Sequence, residues 1–264
     1  MTDPGLLAMR RLLDAPTLAQ AREGAPSELL PLLTEEAFAL VKRTAQEADH
    51  TGPSTPEAWA SIFDTLARRS PAASVALYSL GDEARLQVAT DEVVSWLRAE
   101  RLLGPDRLVV EIGCGIGRFL RALSPEVETV VGLDVSGVMC AEARVRTASL
   151  DNVVVLQTPG RDLSMLEDAS ADVVLAVDSF PYLVSAGLAE VHVREAARVL
   201  SPGGSLLLFN WSYVGELAEH RVQFSAIVEA ACLRPGYMGQ QRLKSWDGLV
   251  FSAFRDDASG VPKP

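Results

Sequence analysis

Hydrophobic positions along this chain follow two regimes. From residue 1 to about residue 103 they recur at helical spacing between caps and prolines; from Asp106 onward short apolar runs alternate with helical periods. In the first regime Asp3 before Pro4, Thr34 before Glu35 and Glu36, and Thr55 before Pro56 and Glu57 are helix-start signals. The third of these helices runs through Trp59, Ile62, Phe63 and Leu66, and Pro16, Pro26, Pro31 and Pro53 punctuate the region. A last helix from about Asp82 to Leu103 carries Leu86, Val88, Val93, Val94 and Leu97, with charges on its other side, which predicts that it packs on the core. Between the third and fourth helices, Tyr78, Ser79, Leu80 and Gly81 interrupt the pattern. This stretch is either a connector with one buried tyrosine or a lid segment that places Tyr78 over a ligand.

In the second regime strands are expected at about 108–112, 129–134, 153–157, 172–177 and 205–210, with two more near 237–243 and 248–255. Helices are expected at about 138–147, 188–200 and 218–232, with Ser201 to Gly204 read as a turn. Such alternation predicts an α/β fold: a doubly wound, mostly parallel sheet of seven strands, Rossmann-like, behind an N-terminal helical extension. The expected division is a helical cap or lid over 1–103, a core over 104–258 and a tail over 259–264.

Composition narrows the possible partners. The chain has 264 residues, and 24 basic against 35 acidic ones give a net charge of −11, which argues against a nucleic-acid partner. Cys114, Cys140 and Cys232 are widely spaced and lack a C-x-x-C pair, so neither a disulfide framework nor a metal site is expected, and a reducing cytoplasm suits them. The N-terminus lacks the pattern of a signal peptide, and no apolar run is long enough to span a bilayer, so no membrane partner is expected.

The candidate chemistry centres on Leu108 to Leu120. An apolar run leads through Glu111 and Ile112 into Gly113, Gly115 and Gly117, and Phe119, Leu120 and Leu123 then recur at helical spacing. That is a buried strand, a tight turn and a helix whose first N–H groups are free. The dinucleotide fingerprint G-x-G-x-x-G would require a third glycine where Arg118 stands. The spacing G-x-G-x-G with an acid two residues ahead instead resembles the first motif of class I S-adenosylmethionine-dependent methyltransferases. Asp134, 21 residues after Gly113, ends the second strand, where a carboxylate can accept hydrogen bonds from both ribose hydroxyls. The end of the fourth strand, Val177 to Tyr182, and the run from Arg198 to Phe209 also match the family, so the resemblance covers about residues 106–255.

The resemblance implies S-adenosylmethionine as cofactor. It assigns Glu111, Gly113, Cys114, Gly115, Gly117, Asp134 and Asp178 to the cofactor, with Val135, Ser136 and Met139 on the adenine side, although Met139 is also read as core. Cys114 is read as packing and not as a nucleophile. The family places an acid after the third strand to meet the adenine amino group, whereas this chain has Pro159 and Gly160 there. Asp162, with the Arg161 backbone near the ring, is the substitute. Asp178 to Tyr182 is similar to the N-P-P-Y signature of adenine-modifying enzymes but lacks its Asn and first Pro, which opposes base methylation.

The expected activity is in-line transfer of a methyl group to oxygen or nitrogen of a small molecule. Tyr78, Asp178, Tyr182 and His220 are the candidate catalytic residues; Trp211, Tyr213 and Trp246 are the candidate substrate contacts. His220 is either the one histidine within reach of a substrate or a solvated or capping histidine at a helix start, since His50 falls in the remote helical segment and His192 within a later helix. Trp211 and Trp246 either sandwich a planar acceptor as an aromatic pair or pack as ordinary core residues. The rival readings are a nicotinamide-dependent oxidoreductase, a cofactor-binding scaffold without turnover, and a protein methyltransferase.

Overall fold

The computed structural model describes residues 4–47 and 55–257. The expected cap at Asp3, together with Pro53, His50 and the 259–264 tail, lies outside the described residues. The helical region contains α1 (Pro4–Asp14), α2 (Leu18–Arg22), α3 (Glu35–Glu47), α4 (Pro56–Arg69), α5 (Pro71–Val75) and α6 (Glu83–Ala99). The core follows as β1 (Gly104–Ile112), α7 (Arg118–Leu123), β2 (Val127–Asp134), α8 (Gly137–Arg146), β3 (Val153–Gln157), β4 (Ala171–Val177), α9 (Phe180–Ser185), α10 (Ala189–Val199), β5 (Leu200–Phe209), α11 (Leu217–Ala230), β6 (Arg234–Gln241) and β7 (Leu249–Phe254).

The seven strands form one sheet in the order β3-β2-β1-β4-β5-β7-β6. Only β7 runs antiparallel to its neighbours, β5 and β6. The strand order reverses between β1 and β4, which places a crevice beyond the carboxyl ends of those strands. Alternate strand residues feed two separate cores. Val109, Val130, Val173 and Leu207 face α6 and α7; Val110, Val131, Val174 and Leu206 face α10 and α11.

Caps explain where the helices begin. Thr55 accepts a hydrogen bond from the Ala58 amide at 3.2 Å, with Pro56 at the first helical position. Asp82 accepts from the amides of Ala84 and Arg85 at 2.8 and 3.1 Å. Helix α6 lies on the sheet through Leu86, Val93, Val94 and Leu97, each contributing roughly 1.5–3 kcal/mol of burial. Val88 departs from expectation: it is exposed, because it falls outside the stripe set by 86, 89, 93 and 97. Helices α1 to α3 build a smaller core of their own around Leu12, Leu33 and Val41.

Two strands begin well ahead of their sequence readings, β1 at Gly104 and not near 108, and β5 at Leu200 and not near 205. Ser201 to Gly204, expected as a turn, belongs to β5. Ala171 faces Leu200 and Val173 faces Ser205, so an irregularity absorbs the extra residues and Gly203 takes the positive φ of 79° that it requires.

Candidate functional site

A cavity of about 140 Å³ opens beyond the carboxyl ends of β1, β2 and β4. Its floor is the turn between β1 and α7, where Gly113 and Gly115 have φ of 73° and 53°. A Cβ on Gly113 would lie 2.3 Å from the Ser179 Cβ, and one on Gly115 would lie 2.7 Å from the Val75 Cγ1. The glycines are therefore demanded by protein neighbours as well as by backbone conformation. Gly115→Ala is expected to lower stability by about 1–3 kcal/mol, combining left-handed strain with displacement of α5. A melting temperature equal to that of the wild type would show that α5 does not press on this turn.

Two acids flank the glycines. Asp134, at the end of β2, accepts from the Gly115 amide with Oδ2 at 2.7 Å and from the Ser136 amide with Oδ1 at 2.8 Å. Burial raises its pKa, and those amide bonds oppose the rise. Glu111 is 1% exposed, and its Oε2 has no hydrogen-bond partner among the described residues. Burial pushes its pKa well up, the Arg118 guanidinium pulls it back and the Asp134 charge adds to it. Cys114 is buried in the same turn and burial raises its thiol pKa strongly, which fits packing and not nucleophilic chemistry.

Helix α4 covers the cavity. Its Glu57 pairs with Arg161 at 2.6 Å, and its Asp64 accepts from the Ser136 hydroxyl at 2.5 Å and the Val138 amide at 3.1 Å. One helix thus bridges the turn after β2 and the loop after β3. Trp59 and Phe63 on its inner face meet Tyr182 edge-on, with ring centroids 4.7 and 5.1 Å away. Such aromatic contacts present an apolar surface to the cavity. Burial raises the pKa of the Tyr182 phenol, with the Asp178 charge acting in the same direction.

Ten of the residues singled out in the sequence line this cavity: Glu111, Gly113, Cys114, Gly115, Asp134, Val135, Met139, Asp162, Asp178 and Tyr182. Gly117 lies behind it, with φ of 77°, and starts α7 against Ala143. Arg161 is exposed and holds Glu57. The side chain of Asp162 accepts from the Ser164 amide and hydroxyl.

The acceptor-side expectations fare unevenly. Tyr78 does not line the cavity: the helical turn Leu77–Ser79 and Leu80, with φ of 54°, direct its ring onto Trp246 at 6.5 Å. It touches the site through Arg118, whose Nη1 donates to the Tyr78 hydroxyl at 3.4 Å. Trp211 and Trp246 form no sandwich, because they belong to opposite faces of the sheet. Trp211 packs on Phe180, Phe224 and Phe251, and Trp246 packs on Tyr78 and Phe209. Tyr213 reaches Asp178 from outside the cavity lining, with its hydroxyl 2.7 Å from Oδ1.

Of its two readings, His220 follows the histidine held at a helix start. His220 is buried with Nε2 2.8 Å from the Val214 carbonyl and does not line the cavity, whereas His192 does. Helix α10 runs back from the carboxyl ends of the strands, so its first turn reaches the crevice. His192 Nδ1 lies 3.0 Å from the Leu188 carbonyl, which can only accept, so the proton sits on Nδ1. Burial lowers its pKa and keeps the ring neutral. Arg118, Trp59, Phe63 and Val75 also line the cavity without having been singled out as site residues. A positional signal existed for Arg118 alone, which occupies the place of the third dinucleotide glycine.

Residues 110–208 match the family model described as a methyltransferase domain. The chain is 33% identical over 131 residues to 27-O-demethylrifamycin SV methyltransferase of Amycolatopsis mediterranei, covering 48% of this chain and 47% of that protein. It is 30% identical over 121 residues to the mouse protein named "Probable tRNA methyltransferase 9B", covering 45% of this chain and 25% of that protein. It is 28% identical over 122 residues to 2-methyl-6-phytyl-1,4-hydroquinone methyltransferase of Synechocystis, covering 42% and 34%. The chain therefore spans between a quarter and a half of the length of these relatives. Among solved structures, the YcgJ protein of Bacillus subtilis superposes with a TM-score of 0.52 at 16% identity, covering 64% of this chain and 99% of that one. A chain of the complex between the Haloferax volcanii Trm112 methyltransferase activator and a methyltransferase gives 0.52 at 19% identity, covering 74% and 97%.

Proposed function

We propose that this chain, whose core carries a class I S-adenosylmethionine-dependent methyltransferase domain, transfers the cofactor's methyl group to oxygen or nitrogen of a small-molecule acceptor. The observation that carries the reading is the pairing of two acids across one glycine turn beneath an aromatic cover. Glu111 offers a buried carboxylate oxygen without a protein partner, which suits the ammonium of the cofactor's amino-acid end. Asp134 keeps an unused lone pair on each oxygen after accepting from Gly115 and Ser136, which suits a ribose diol. These residues fit the cofactor. Bound there, S-adenosylmethionine supplies a methyl group already activated by its sulfonium.

The chain's own work is then to align the acceptor and exclude water. Trp59, Phe63 and Tyr182 make the acceptor side apolar and covered, which supports a compact acceptor over a folded macromolecule. The net charge of −11 weighs in the same direction against tRNA. No helix among the described residues is long and apolar enough to cross a membrane.

The test has two stages. Calorimetry with S-adenosylhomocysteine is expected to show one site per chain, and the protein should then methylate members of a panel of phenols and amines in the presence of S-adenosylmethionine. Absence of binding would end the methyltransferase reading. Methylation of tRNA or of a protein in the same assay, with none of the small molecules, would end the small-molecule assignment.

A further inference from the structure

Strands β4 and β5 end side by side, with Val177 opposite Phe209. The residue after each lies in the left-handed region: Asp178 has φ of 59° and Asn210 has φ of 67°. Side chains other than glycine stay there only where the surroundings over-determine them, and such positions cluster at functional sites.

Here the two side chains hold each other. Asn210 Nδ2 donates to Asp178 Oδ1 at 3.0 Å. The Tyr213 hydroxyl donates to the same oxygen at 2.7 Å and lies 3.0 Å from the Asp178 carbonyl. Asn210 is anchored in turn on β7: its amide donates to the Leu249 carbonyl at 2.8 Å, and its Oδ1 accepts from the Leu249 amide at 2.9 Å. The Leu249 N–H can only donate, so the amide orientation is fixed and its NH2 must face the carboxylate. Both donors converge on one oxygen of Asp178. The other, Oδ2, makes no hydrogen bond among the described residues, and Asp178 lines the cavity beside Tyr182.

We propose that Asn210 and Tyr213 are positioning residues that lock Oδ1 of Asp178, so that Oδ2 is presented to the cavity as the proton acceptor for an N–H or O–H nucleophile. The proposal rests on the methyltransferase reading above. In the step it serves, the lone pair of the acceptor's nitrogen or oxygen forms the new bond to the methyl carbon. The sulfonium S–C bond breaks with its electron pair left on sulfur, and the nucleophile's proton passes to Oδ2. The acceptor class follows from the surroundings: an amine or hydroxyl that still carries its proton, on an apolar body that fits against Trp59, Phe63 and Tyr182. A nucleophile that arrives as an anion would need no base, and would meet the Asp178 carboxylate with like charge.

The charges that act on Asp178 are Arg118, which favours the carboxylate, and Asp247, which opposes it; burial raises its pKa, and the bonds from Asn210 and Tyr213 oppose the rise. Full-length protein labelled with 13C at aspartate carboxyls, saturated with S-adenosylhomocysteine, allows this carboxyl to be titrated by NMR, with Asp178→Asn identifying its signal. Asn210→Ala is expected to move the midpoint upward by about one pH unit, the change for losing a hydrogen bond to a charged group. Tyr213→Phe should move it in the same direction. Because Tyr213 is 43% exposed, that variant removes one hydroxyl without opening a core, and it remains decisive if Asn210→Ala does not fold. Midpoints equal to the wild type would overturn the positioning role. Absence of S-adenosylhomocysteine binding by the wild type would instead overturn the methyltransferase reading beneath it.

Discussion

Asp134→Ala is expected to weaken S-adenosylhomocysteine binding by roughly ten- to a hundredfold, the range for losing hydrogen bonds to a charged group. The carboxylate stands between two tasks. Toward the protein it accepts from Gly115 and Ser136 at 2.7 and 2.8 Å, which holds the glycine turn against the end of β2. Toward the cavity it retains one lone pair per oxygen for the sugar hydroxyls. Alanine removes both, and the Gly115 and Ser136 N–H groups lose their acceptor, so a stability loss of about 1–3 kcal/mol should accompany the loss of affinity. Asp134→Asn would be no mild replacement: the side-chain NH2 it introduces would face either the Gly115 or the Ser136 amide, donor against donor. Calorimetry on the folded alanine variant decides the matter, and an unchanged dissociation constant would remove Asp134 from the cofactor site.

The sheet was legible in the sequence because its strands read as short unbroken apolar runs, buried along β4 and half-buried in the edge strand β3. Val153 to Leu156 and Val173 to Val177 leave no helical alternative within their length. The glycine turn and Asp134 were legible for a different reason: backbone geometry and strand position fix where a ligand can sit, whatever the rest of the chain does. Helix α9 was hidden because six residues with Pro181 near its start carry no measurable period. The irregularity in β5 was hidden because Ser201-Pro202-Gly203-Gly204 has the composition of a turn.

Depth was the harder quantity. Trp211 and Trp246 lie close to strand ends in sequence, yet the sheet separates them, and only the register of β5 and β7 reveals this. His192 was set aside as mid-helix. Helices that follow a parallel strand begin at the carboxyl side, where the crevice lies, so a histidine in the first turn of α10 was a site candidate on topology alone. The cover of Trp59 and Phe63 could not be read in this way, since nothing in a helical stripe says which surface it meets.

Glu111→Gln is expected to change stability and binding in opposite directions. Burial lifts the pKa of this carboxyl well above its ordinary value of 4.5. Its folded-state pKa exceeds its unfolded one, so its contribution to stability is fully present below about pH 4.5 and is lost as pH rises through the raised value. Glutamine binds no such proton. Wild type and variant should therefore be similarly stable in acid, and at neutral pH the variant should be the more stable by on the order of 1–3 kcal/mol, the penalty for an uncompensated buried polar group. The cofactor reverses the comparison: an ammonium beside Glu111 stabilises the carboxylate form, which glutamine cannot supply, so affinity for S-adenosylhomocysteine should fall by about tenfold or more. Melting curves across pH, with and without S-adenosylhomocysteine, test both halves together. A variant less stable than the wild type at every pH would mean that Glu111 is a structural acid whose partner the protein itself supplies. The predicted crossing of the two curves on adding ligand would mark it as strain held in the free protein and relieved by the cofactor.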